Sequence, residues 1–124
     1  MSEIRGYRDL VVWQEAMDLV VEAYRLAAQL PDRERFGLTS QLQRAAVSVP
    51  ANIAEGHGRS GTREYLHHLS VARGSLLEAE THLQIAVRLG YLRAEEVDAI
   101  LERTGLLDRR LRTLIARLRD RAEA

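Results

Sequence analysis

The sequence predicts an all-α protein: four long helices in an antiparallel up-down-up-down bundle, the second carrying a proline kink. Three observations predict it. Apolar residues recur at alternating steps of three and four along four segments, the period of a helical seam and not of a strand. A load of Ala, Leu, Arg and Glu, with only 2 prolines in the chain, favours helix within those segments. Pro31, Gly37, the glycines Gly56, Gly58 and Gly61, and Gly90 punctuate the joints between them. No strand candidate, internal repeat or low-complexity stretch competes. A chain of 124 residues suits a single domain spanning residues 1–124 with one core.

The first helix, about 9–30, takes Asp9 as its cap and is stopped by Pro31. Leu10, Trp13, Met17, Val20, Tyr24 and Ala27 form its expected seam. The second, about 38–57, turns Leu38, Leu42, Ala45, Val49 and Ile53 inward. Thr62 is placed to cap the third, about 62–89, whose inward set is Tyr65, Leu69, Ala72, Leu76, Ala79, Leu83 and Ala86. Gly90 suits the C-terminal turn of that helix. The fourth, about 94–121, repeats at Ile100, Thr104, Leu107, Leu111, Leu114 and Leu118. Short joints between four such helices give the up-down-up-down arrangement.

The first helix carries more apolar surface than a bundle needs. At roughly 100° per residue, Gln14, Glu15, Asp18, Glu22, Arg25 and Gln29 crowd into one narrow polar arc. A core-facing stripe needs only somewhat more than about 100°. The excess, including Val12, Leu19, Val21 and Leu26, is expected to be covered by another copy of the protein. The chain should therefore be a homo-oligomer.

Composition narrows the function. With 0 cysteines there are no disulfides, thiolate metal sites or cysteine nucleophiles. The start, Met1-Ser2-Glu3-Ile4-Arg5-Gly6, has no apolar run of signal-peptide length, and no later segment is apolar enough to span a membrane. A cytoplasmic protein without membrane contact is the expectation. The 18 basic residues are all arginine and balance 18 acidic ones, for a formal net charge of 0. No long-range field then draws nucleic acid, so any such contact must come from a local patch.

The segment Ser48-Val49-Pro50-Ala51-Asn52-Ile53-Ala54-Glu55-Gly56 places a helix breaker and two polar side chains inside an apolar helix. Pro50 donates no hydrogen bond, and its ring crowds the Ala46 carbonyl one turn back. Asn52, Arg44, Gln43 and Ser48 lie close enough to repair that loss, with Glu55 expected to anchor arginine or capping groups from a neighbouring helix. The run from Leu38 to this Gly56, LTSQLQRAAVSVPANIAEG, closely resembles the 23S rRNA-intervening-sequence protein family of bacterial four-helix bundles. DLVVWQEA at Asp9–Ala16 and ARGSLLEAETHL at Ala72–Leu83 resemble it too, so the likeness spans about Tyr7 to Leu118. The resemblance implies the bundle fold, with Arg44, Ser48, Pro50, Asn52, Glu55, Gly56, Ser75 and Glu78 in its structural motifs. A similar bundle is the accessory protein of diversity-generating retroelements, a barrel-like homopentamer that binds a reverse transcriptase and nucleic acid. Pentameric assembly and a structured-RNA or reverse-transcriptase partner are what the likeness implies here. That accessory branch is strongly basic, whereas this chain is neutral.

Candidate contacts to nucleic acid are few. Arg103, Arg110, Arg117 and Arg121 fall on one line of the fourth helix and could track phosphates, although no aromatic residue interleaves for base stacking. Arg59 and Arg63 flank the glycine-rich joint and are placed to hold an anion. Glu64, His67, His68, Glu78 and His82 on the third helix give one Glu-x-x-His, half of the di-iron carboxylate pattern. The other half is missing, and no metal, cofactor or small-molecule substrate is expected. Ser48 and Ser75 are the candidate hydroxyls of an enzyme, yet both sit in motifs that read as packing, so catalysis is not expected.

Overall fold

The computed structural model describes residues 3–123. Within them lie four α-helices, α1 (Val11–Ala27), α2 (Leu38–His57), α3 (Thr62–Arg88) and α4 (Ala94–Glu123), and no strand. Single 3-10 turns at Tyr7–Asp9 and Asp32–Glu34 precede α1 and α2. α1 touches α2 and α4, and α3 touches α2 and α4, so the helices close a four-sided bundle in chain order. The largest contact is between α2 and α3.

Helix ends depart from expectation for identifiable reasons. Asp9 does not cap α1; its carboxylate accepts the Arg5 amide at 2.9 Å and closes the preceding 3-10 turn. The helix therefore starts at Val11, with extended Leu10 as its boundary residue. Its other end stops at Ala27, short of Pro31. The amide of Leu38, at the start of α2, donates at 3.1 Å to the Glu34 carboxylate, a donor that would otherwise be orphaned. The second oxygen of Glu34 accepts the Tyr91 hydroxyl at 2.9 Å, tying the α1–α2 connection to the α3–α4 connection. Thr62 is the first residue of α3, and extended Gly61 holds the capping position instead. Gly90 does end α3 in the left-handed region, at φ +79°, with the Tyr91 amide reaching back to the Ala86 carbonyl at 2.9 Å.

The core is built from small residues facing large ones. Ala16 and Ala23 of α1 are fully buried against a set that includes Leu42, Val49, Ile53, Leu69, Leu76, Leu83, Leu107 and Leu111. This rotates α1 from the expected seam. Val12, Ala16, Leu19, Ala23 and Leu26 face inward, while Met17 and Tyr24 face solvent and Leu10, Trp13 and Val20 lie at the edge. Two apolar stripes at helical spacing share this helix, and the one containing alanines allows the closer approach to its neighbours.

The α2–α3 contact is closest near Gly56, which is buried. A Cβ added there would stand 2.7 Å from the Cβ of His68 and 3.1 Å from the Tyr65 ring. Only glycine fits. Burial at the same place raises the Tyr65 phenol above its ordinary pKa. α2 is continuous through the buried Pro50 to His57.

Candidate functional site

The polar residues of the SVPANIAEG segment and of α3 form a ladder between the two helices. Asn52 Nδ2 donates to the Ser48 carbonyl at 2.9 Å and to Ser48 Oγ at 3.0 Å. Ser75 Oγ donates to the same Ser48 Oγ at 2.8 Å, and His68 Nδ1 donates to Asn52 Oδ1 at 3.0 Å. The amide of Asn52 thus serves the Ser48 carbonyl, not the Ala46 carbonyl that Pro50 abandons. His68 was missed as a member of this network. Its signal was sequence distance: α2 and α3 are joined by a four-residue turn, so a polar residue shortly after Gly61 had to meet one shortly before Gly56.

Beyond the Ser48–Ser75 rung the two helices part into a groove of about 400 Å³ lined by Gln41, Arg44, Ala45, Ser48, Ser75 and Glu78. Arg44 and Glu78 lie at its rim, both exposed. His82, one turn past Glu78, is buried, with Nε2 3.8 Å from the Glu78 carboxylate.

Glu55 lies outside this network. It is exposed and accepts a hydrogen bond from Arg59 at 2.7 Å, four residues on. That bond, and next the His68 charge, hold its carboxyl below the usual pKa. The expectation that Glu55 anchors a neighbouring helix is thus corrected; the following residue, Gly56, is the one that faces α3.

The arginines expected to meet nucleic acid are not equally available. Arg110 is ion-paired with Glu15 of α1. Arg112 approaches Asp108 at 3.2 Å, and Arg73 of α3 grips that same carboxylate at 2.6 Å. Arg59 is engaged by Glu55 and lies 4.0 Å from Glu64. Arg103, Arg117, Arg121 and Arg63 are exposed and make no ion pair among the described residues. Among those residues no cluster of three or more His, Asp or Glu side chains is arranged to hold a metal, and no helix is long and apolar enough to cross a membrane.

Of the apolar residues assigned to a contact between copies, Val12, Leu19 and Leu26 are buried within this chain's own core; Val21 alone is open. Met17, Val21 and Tyr24 on α1 and Val47 on α2, each 41 to 49% accessible, are among the large apolar residues left exposed; Val11, Phe36 and Leu89 elsewhere are more exposed still. Tyr24 and Val47 line one shallow groove with Ser40, Gln43, Arg44 and Ser48, which joins the two helices into a single face.

A family model described as "23S rRNA-intervening sequence protein" matches residues 8–113. Among solved structures, the fold is similar to a Bacteroides thetaiotaomicron protein described as of unknown function from the S23 ribosomal protein family. The TM-score is 0.78 at 23% identity, covering 85% of this chain and 98% of that one. No curated protein matches.

Proposed function

This chain belongs to the 23S rRNA-intervening sequence protein family, and we propose that it works without catalysis, as a self-assembling scaffold. Its helices run up-down-up-down with α2 bent at Pro50. The pairings Asn52–His68 and Ser48–Ser75, and Arg73–Asp108 and Glu80–Thr104, support the antiparallel course of α2 with α3 and of α3 with α4, since each set steps forward on one helix and back on the other. The observation that carries the assembly is the apolar face of Met17, Val21, Tyr24 and Val47, which the described residues leave about half exposed. A second copy is its cover, and a ring of five is the form that the family resemblance suggests. Arg103, Arg117 and Arg121, exposed and in no ion pair among the described residues, are then presented repeatedly around the ring to a structured RNA or to a nucleoprotein partner such as a reverse transcriptase. Arg63 adds to that surface near the α2–α3 joint.

Light scattering tests the assembly: the wild type should have a mass several times its 14.0 kDa chain, and Val21→Glu with Tyr24→Glu should return single chains. A compact single copy at micromolar concentration defeats the reading. Gel shifts with structured RNA over a range of salt test the second part. Binding that weakens as salt rises, and weakens further in Arg103→Ala/Arg117→Ala, supports it.

A second reading is a protein–protein adaptor with no affinity for nucleic acid. The ion pairs that occupy Arg110, Arg112 and Arg59, together with the net charge of 0, favour it. Absence of any RNA shift at low salt, with assembly intact, selects it.

A further inference from the structure

We propose that the α2–α3 groove is a binding site for a small zwitterion, a free α-amino acid, held there without being turned over. The groove's rim supplies both halves of the recognition. Ser48 Oγ already accepts two hydrogen bonds, from Asn52 Nδ2 and Ser75 Oγ. A hydroxyl has two lone pairs, so its own hydrogen remains to be donated. Arg44, on the next turn of α2, adds a guanidinium that makes no ion pair among the described residues. Together these donors suit a carboxylate. Glu78, on the next turn of α3, is an acceptor for an ammonium group.

Arg44 and Glu78 line the same groove of about 400 Å³ yet are not bridged to one another. That volume lies in the range of about 300–1,000 Å³ usual for small-molecule sites. A simple anion is repelled by Glu78 and a simple cation by Arg44, whereas a molecule carrying both charges satisfies both.

The site does not depend on the RNA reading; Arg44 and Ser48 also line the groove of the face assigned to assembly, so it requires the α2–α3 side of those residues to stay open in the assembled protein. Calorimetric titration of the full-length protein with each of the twenty free amino acids tests it. At least one is expected to bind saturably with a millimolar or tighter Kd. Its N-acetyl derivative and its amide should each bind about tenfold weaker or worse, because each lacks one charge. Arg44→Ala and Glu78→Gln, both at exposed positions, should weaken binding by a similar factor while circular dichroism shows an unchanged fold. No saturable heat with any amino acid overturns the proposal, as does equal binding of the derivatives. A change of particle mass in Arg44→Ala overturns it too, because the groove is then covered by a second copy.

Discussion

The α2–α3 and α1–α4 contacts solve the same problem in opposite ways. Between α2 and α3, Gly56 and a ladder of short polar side chains bring the backbones together until a single methyl has no room. Between α1 and α4, a cavity of about 260 Å³ remains, lined in part by Glu15, Asp18, Leu19, Arg103, Thr104 and Leu107. Long side chains reach across that gap: Arg110 to Glu15, and Gln29 to Glu96 at 2.8 Å. One face is held by close packing and the other by reach. Sensitivity to mutation should follow the same division.

The sharpest test is Gly56→Val, which drives branched carbon into His68 and Tyr65. It should lower the unfolding free energy by about 3 kcal/mol in urea denaturation, and a loss below about 1 kcal/mol breaks the contrast. Next is Asn52→Ala, which strands His68 Nδ1 and removes the donor to Ser48. A loss of about 2 kcal/mol is expected by the same measurement. On the open side, Leu107→Phe adds volume beside an existing cavity and should move stability by less than about 1 kcal/mol. Greater damage there than at Gly56 would reverse the comparison. The smallest effect is expected at Glu55. Because its side chain is exposed and its ion pair with Arg59 is screened by water, Glu55→Ala should leave the melting temperature indistinguishable from that of Glu22→Ala. Arg59 lowers the Glu55 pKa, so whatever the pair contributes is present above the ordinary glutamate range and disappears as pH falls through the lowered value.

Periodicity carried most of the helical content of this chain, and the joints at Gly37, Gly61 and Gly90 were readable because each marks a real change of backbone direction. The orientation of α1 was not readable in the same way. Leu10, Trp13, Met17, Val20 and Tyr24 keep as good a period as Val12, Ala16, Leu19, Ala23 and Leu26. Large apolar residues suggest a core, yet the alanine-bearing stripe won because it lets neighbouring helices come nearer. Glu55 was misplaced for a related reason. The residue beside it, Gly56, points at α3, and a shift of one residue turns a helical side chain by roughly 100°. The members of the groove, Arg44, Ser48, Ser75 and Glu78, were all visible as motif residues. Their convergence was not, since it depends on which turns of α2 and α3 meet.

Glu34 holds the two connections at one end of the molecule with its two carboxylate oxygens, one on the Leu38 amide and one on the Tyr91 hydroxyl. A clasp at that end makes opening directional. Thermal breathing should begin at the far end, where the α2–α3 turn and the tail of α4 lie, and die away toward the clasp. Amide protons near Leu92 and Leu38 should therefore outlast those near Leu66 and Leu114 in deuterated water. Cutting the clasp with Glu34→Ala should flatten that gradient before it unfolds the protein.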